Sequence, residues 1–118
     1  MGRVRLESDE RGLTWEARAL ATWLERLRGL LGTTCAAGAV LLLRCSSIHT
    51  YGMGYAIDVA FVGERGEVLS SERGLGPGEC RSCAGAACVL ERPERDDDWP
   101  EPGEHLWACS TSADGVRG

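Results

Sequence analysis

The chain contains no lysine, so all 13 of its basic residues are arginines, and 18 acidic residues outnumber them. The net charge of −5 at pH 7 argues against non-specific binding to the phosphate backbone of nucleic acids. Long apolar runs are also missing. The longest, Ala36–Leu43, is far shorter than the roughly 20 residues that cross a bilayer. We therefore expect neither a nucleic-acid partner nor a membrane span.

Signatures of several enzyme classes are absent as well. The sequence has no phosphate-cradling glycine loop, no dinucleotide fingerprint and no Gly-x-Ser-x-Gly elbow. The segment Met1–Glu10 is charged where a secretion signal needs an apolar core. We therefore expect a cytoplasmic protein, whose cysteines are kept reduced.

The length of the chain predicts a single domain. A chain of 118 residues with 43% hydrophobic residues can bury one core and is too short to divide. Residues 1–13 are polar and 110–118 are rich in Ser, Gly and Asp, so we expect both ends to be flexible. We expect a monomer or a weak dimer.

One amphipathic helix is predicted over Thr14–Leu31. Its apolar residues recur at helical spacing and form one face, namely Leu20, Trp23, Leu24, Leu27, Leu30 and Leu31. Thr14 is the predicted N-cap, Glu16 lies in the first turn, and Gly32 follows as a C-terminal stop.

After the helix, short runs of β-forming residues alternate with turn residues. The runs are 39–45, 56–62, 67–72, 86–92 and 104–109. Gly63–Gly66 is a hairpin turn by composition, and the prolines and acidic residues of Pro93–Gly103 exclude regular structure. The pattern predicts a mostly β (α+β) fold, a compact antiparallel β-sandwich or partly closed barrel with one N-terminal α-helix packed on it.

Most of the reactive side chains lie in one segment, Cys45–Val62. It reads Cys-Ser-Ser-Ile-His-Thr-Tyr-Gly-Met-Gly-Tyr-Ala-Ile-Asp-Val-Ala-Phe-Val. The segment resembles the signature of the DUF192 family, a group of uncharacterised bacterial and archaeal proteins with no established activity. The resemblance covers about residues 20–109 and implies a mostly β fold with an N-terminal helix. Family members usually carry Arg where this chain has Gly54.

The same segment supplies a candidate ligand site at Cys45, His49, Thr50, Met53 and Asp58. Strand alternation puts Asp58 on the face opposite Ile57, so its carboxylate needs hydrogen-bond donors, and His49, Thr50 and nearby backbone amides are the closest in sequence. A structural role in bracing the turn is one interpretation. Two others are a soft metal site and a Cys nucleophile with a His base oriented by Asp.

A second cluster is Cys80, Cys83 and Cys88. A lone Cys-x-x-Cys is a weak zinc signal, although Cys109 or His105 could complete four ligands. A reversible Cys80–Cys83 disulfide and ordinary reduced thiols are the alternatives.

Together these features favour binding over catalysis. We expect a small molecule or a metal ion in a cleft rimmed by the candidate residues. The alternatives are an accessory protein that docks through an exposed sheet edge, and a Cys/His enzyme of unknown substrate.

Overall fold

The computed structural model describes residues 2–110, without the side chains of Trp23, Leu27, Cys109 and Ser110. These residues form nine strands and one short helix. In chain order they are β1 (Arg3–Ser8), β2 (Thr14–Leu20), α1 (Trp23–Arg28), β3 (Ala39–Leu43), β4 (Ser47–His49), β5 (Ile57–Gly63), β6 (Val68–Leu75), β7 (Cys80–Ser82), β8 (Ala86–Pro93) and β9 (Leu106–Ser110). No helix in this part of the chain is long and apolar enough to cross a membrane.

Seven strands form one curled sheet in the order β6-β5-β8-β3-β2-β1-β9, and β4 pairs with β7 in a separate two-stranded ribbon. The two edges of the large sheet meet at one corner, where Leu106 N donates to Gly66 O (2.8 Å) and Val68 N donates to Glu104 O (2.8 Å). Gly66 has a φ of +87°, and a Cβ there would lie 2.3 Å from Leu106 O, so this approach requires glycine. The predicted mostly β fold is confirmed, and the curled sheet is a half-barrel.

The strands predicted beyond residue 38 are present. β3, β5, β6, β8 and β9 each overlap a predicted run. The turn at 63–66 is closed by a hydrogen bond from Gly63 N to Glu67 O (2.8 Å). Residues 94–105 hold no regular structure beyond one isolated bridge, as their prolines and acidic run predict.

The predictions for the N-terminal part are wrong. Residues 2–13 are not a flexible end, because β1 pairs with both β2 and β9 inside the large sheet. Of the other predicted flexible end, 110–118, only Ser110 at the end of β9 lies within the described residues. The first half of the predicted helix is strand β2, which contains Thr14 and Glu16. Trp15 and Ala17 are buried while their neighbours are exposed, which is the period of a strand. The helical spacing of apolar residues begins only at Leu20, at the end of this strand.

Helix α1 has only six residues. Its N-cap is Thr22, whose hydroxyl accepts from Glu25 N, while the Glu25 carboxylate accepts from Thr22 N, a complete capping box. The helix ends at Gly29, which has a φ of +49°, and not at Gly32. The helix therefore lies after two strands and is not an N-terminal element.

The helix lies in the connection between two parallel strands. β2 and β3 pair in parallel, which requires a crossover, and residues 21–38 provide it. This parallel pair departs from the predicted antiparallel sheet, because β2 was predicted as part of the helix. The other pairs of the large sheet are antiparallel.

The central strands bury both faces. On β5, Ile57, Val59 and Phe61 pack in one hydrophobic cluster, while Ala60 and Val62 pack in another. The predicted division of this strand into two faces is confirmed. Side chains of β3 and β8 divide between the same two clusters, so these three adjacent strands present two apolar layers.

Candidate functional site

A cavity of about 560 Å³ lies over the central strands. Its floor is formed by Leu42, Ile57 and Glu91, which lie on the neighbouring strands β3, β5 and β8. One wall is the end of α1 and the residues after it, and the other is the β4-β7 ribbon with the turn after β4. The other lining residues are Arg26, Arg28, Gly29, Leu30, Leu31, Cys45, Ser47, Ile48, His49, Tyr51, Met53, Cys80, Arg81 and Ser82.

Glu91 is the most unusual residue of this cavity. The residue is 5% exposed, and its carboxyl group makes no hydrogen bond or ion pair with any described residue. Burial raises the pKa of this group to about 7, because the charged form is poorly solvated. Gly29 at the end of α1 packs directly above it, since a Cβ at Gly29 would lie 3.2 Å from Glu91 Oε1.

Arginine side chains surround the same space. Arg26 donates from Nη1 to the backbone oxygen of Arg44 (2.8 Å), and its buried Nε has no acceptor within the described part of the chain. Arg81 is already neutralised by Glu72 and Glu79, at 2.8 Å and 3.2 Å. The cavity is thus lined by the Glu91 carboxyl and by Arg26 and Arg28, and none of these three groups forms an ion pair with a described residue.

Of the five site residues predicted from the sequence, Cys45, His49 and Met53 line the cavity. The Cys45 thiol donates to Ser47 O (3.1 Å). His49 is exposed on β4 and stacks on Tyr51, with ring centroids 5.5 Å apart.

Thr50 is buried away from the cavity and braces the turns around it. Its hydroxyl donates to Gly76 O (2.7 Å) and accepts from Glu79 N (2.8 Å). Its backbone N–H donates to Glu79 O (2.8 Å), and its backbone oxygen accepts from Gly78 N (3.0 Å). Thr50 therefore ties the segment after β4 to the segment before β7.

Asp58 is fully buried, on the face of β5 opposite the cavity. Its carboxylate accepts from Arg92 Nε (2.9 Å), Gly74 N (3.0 Å) and Arg95 N (3.3 Å). The Arg92 guanidinium also lies 4.5 Å above the ring of Trp99. The expected partnership of Asp58 with His49 is wrong, because Arg92 is the cross-strand neighbour of Asp58. The Cys-His-Asp arrangement is therefore not formed.

The second cysteine cluster does not come together as a metal site. The described residues contain no group of three or more His, Cys, Asp or Glu side chains arranged to hold a metal ion. Cys80 is exposed at the cavity, whereas Cys88 is part of β8 between Leu43 and Val62. Burial, and secondarily the nearby Cys45, raise the pKa of Cys88 to about 11, which disfavours the thiolate that zinc requires.

The remaining proposed zinc ligands lie elsewhere or outside the described atoms. His105 is bonded to Glu10 through its ring nitrogen (3.3 Å), and the side chain of Cys109 lies outside the described residues. The five described cysteines, which include Cys80, Cys83 and Cys88, are free thiols.

Glu91 and Arg26 were not predicted as site residues from the sequence. A signal for Glu91 exists, because it follows Val89 by two positions in a predicted strand and therefore shares its buried face. Arg26 carried no such signal, since it reads as one more polar residue of an amphipathic helix.

Comparisons with known proteins show the fold. No family model and no curated protein matches the chain. A solved structure of a protein of unknown function from Novosphingobium aromaticivorans DSM 12444 is similar with a TM-score of 0.73 and 18% identity, over 89% of this chain and 83% of that one. A candidate transcription regulator from Sinorhizobium meliloti 1021 is similar with a TM-score of 0.69 and 18% identity, over 91% and 92%. At this identity the likeness concerns the fold alone.

Proposed function

We propose that this protein is a small-molecule-binding domain and that the cavity between α1, the β4-β7 ribbon and the central strands holds its ligand. The observation that carries the proposal is the size and the lining of the cavity. Its volume of about 560 Å³ falls in the usual range of ligand pockets, roughly 300 to 1,000 Å³. Leucine and isoleucine side chains line it, and a few polar groups converge on it, as in most sites that bury small organic molecules.

A screen of small organic fragments by amide NMR tests this function. The expected result is that binding fragments shift amide signals of cavity residues such as Leu30, Leu42 and Ile57. Ser82→Trp places a large ring at the cavity mouth and should abolish these shifts, because Ser82 lines the cavity. Ser46→Trp is the matched control, since Ser46 is exposed and does not line it. Shifts that cluster elsewhere, or that survive Ser82→Trp, would refute the proposal.

The docking alternative has one feature in its favour. Trp107 is 63% exposed on β9, an edge strand of the large sheet. A single exposed aromatic residue is ordinary on a protein surface, whereas a docking face is a contiguous apolar patch. We therefore place this role second. The enzyme alternative loses its orienting group, because Asp58 is bonded to Arg92.

We further propose that the chain is related to the DUF192 family and acts in the cytoplasm. The family proposal is supported by the residues of the Cys45–Val62 segment alone. The proposed location is supported by the five free thiols, which persist in a reducing compartment.

A further inference from the structure

We infer that the ligand of this cavity is a small amino-carboxylate with an apolar side chain, whose ammonium group pairs with Glu91 and whose carboxylate accepts from Arg26. This inference rests on the proposed binding function and names its ligand class. It is carried by groups of opposite charge that line one cavity, Glu91, which is 5% exposed, and Arg26 and Arg28, none of which has an ion pair with a described residue.

The surroundings of Glu91 favour a cation at that point. The carboxyl lies beneath Gly29, at the C-terminal end of α1, where backbone carbonyl oxygens face outward and favour positive charge. A buried carboxylate without a partner is costly, and an ammonium group supplies both the counter-charge and the hydrogen bonds. Binding of a cation would therefore remove a cost that the unliganded protein carries.

A purely cationic ligand does not account for Arg26. Arg26 lines the cavity, and its positive charge has no ion pair with any described residue. Arg28 adds a second positive charge from the same turn of α1 and has no ion pair with any described residue. A carboxylate placed here would accept from Arg26 and benefit from the charge of Arg28.

The apolar remainder of the ligand has its own contacts. Leu30, Leu42 and Ile57 line the cavity beside Glu91, and all three are buried in the hydrophobic cluster on that side of the sheet. The other titratable or charged groups facing the same space are Cys45, His49, Tyr51, Cys80 and Arg81. None of them is a carboxylate, so Glu91 is the lone anionic group that lines the cavity among the described residues.

Three probes that share one aromatic ring separate these contributions: L-phenylalanine, 2-phenylethylamine, which lacks the carboxylate, and 3-phenylpropionate, which lacks the amine. Calorimetric and NMR titrations at pH 7 should show that L-phenylalanine binds at least about tenfold more tightly than either analogue. Glu91→Gln should weaken L-phenylalanine and the amine by about tenfold and leave the carboxylate unchanged. Arg26→Gln should weaken L-phenylalanine and the carboxylate and leave the amine unchanged.

Matched controls are Glu16→Gln and Arg18→Gln, which alter exposed residues of β2 outside the cavity and should change nothing. Equal binding of L-phenylalanine and one analogue, or binding unaffected by both cavity variants, would overturn the inference. Failure of all three probes, while other fragments still shift the cavity amides, would overturn the ligand class and leave the binding function standing. Failure of every compound would overturn both.

Discussion

Glu91 and Asp58 are carboxyl groups buried on adjacent strands of one sheet, yet their environments are opposite. Asp58 faces one apolar layer and has Arg92 and two backbone amides as partners. Glu91 faces the other layer, and its carboxyl has no partner among the side chains and backbone that the structure describes. Buried charges in stable proteins are normally paired, and exceptions concentrate at functional sites. The contrast therefore supports a structural role for Asp58 and the ligand-binding role proposed for Glu91.

Glu91→Leu should make the protein more stable. The substitution keeps a similar volume and removes a desolvated carboxyl, so at pH 8 the free energy of unfolding should rise by about 1 to 3 kcal/mol. Urea denaturation checks this, with Glu16→Leu as a surface control. A loss of stability would show that Glu91 has a partner that the structure does not show.

Asp58→Asn should be strongly destabilising, by about 3 to 5 kcal/mol, because it leaves the buried guanidinium of Arg92 without its counter-charge. His49→Ala should cost less than about 0.5 kcal/mol, since His49 is exposed and contacts Tyr51. The comparison is made by thermal and urea unfolding of the two variants. Similar losses of stability for both variants would indicate that His49 and Asp58 share a hydrogen-bond network, as predicted from the sequence.

At the scale of elements, α1 and the residues after it decide the shape of the cavity. The capping box at Thr22 and Glu25 fixes where the helix starts, and Gly29 ends it directly above Glu91. Leu30 then turns inward and is buried, whereas Leu24 on the helix is 58% exposed. The predicted apolar stripe is therefore only partly a buried face.

Leu30→Ala should lower the free energy of unfolding by about 2 to 5 kcal/mol, as expected for a large-to-small change in a core. Leu24→Ala is the matched control and should cost less than about 0.5 kcal/mol, because its side chain is largely in water. Chemical denaturation of both variants measures the two changes in the free energy of unfolding. Equal losses would mean that the exposed face of α1 is covered in solution.

The elements that the sequence predicted well are those with a local signal. Runs of β-forming residues and the Gly63–Gly66 turn located β5 and β6, because strand propensity and turn chemistry are read from neighbouring residues. β2 was missed because a threonine at its start and the leucine repeat after it look like one capped helix. Length and periodicity together could not separate Trp15 and Ala17, which follow a strand period, from the helix that begins at Trp23.

The candidate site was predicted only in part. Cys45, His49 and Met53 are close in sequence and meet at one cavity. Glu91 joins them through the register of β8 between β3 and β5, a pairing that no local pattern specifies. The same register pairs Asp58 with Arg92, which no spacing along the chain could reveal.

For the molecule as a whole, two carboxyl groups make the free energy of unfolding depend on pH in opposite directions. Glu104 lies where the sheet edges meet and accepts hydrogen bonds from Arg11, Glu101 N and Ser8. The hydrogen bond from Arg11 is the main cause that lowers the pKa of Glu104 to about 2. Its contribution is therefore present above its unfolded pKa and is lost as the pH falls towards 2.

Glu91 has the opposite effect on the pH dependence of stability. Its pKa of about 7 exceeds the value near 4.3 of a carboxyl in water, so the folded protein retains a proton that the unfolded chain releases. Stability should fall by up to about 3 kcal/mol as the pH rises from about 4 to 8. Denaturation across this range should show the decline in the wild type and a flatter profile in Glu91→Gln. Glu104→Gln should flatten only the acid limb, and a wild-type profile that rises towards pH 8 would contradict this assignment.

The proposed ligand site depends on Glu91 being a buried carboxyl that is unpaired in the free protein and pairs with a cationic group of the ligand. The most direct measurement is a pH titration of its side-chain carboxyl carbon by ¹³C NMR, assigned by comparison with Glu91→Gln. An unpaired Glu91 should show a midpoint near 7 in the free protein and a clear downward shift when L-phenylalanine is added to saturation, because an ammonium partner stabilises the charged form. A midpoint near the ordinary value of about 4.3 in the free protein would contradict it, since the carboxyl would then be solvated or already paired.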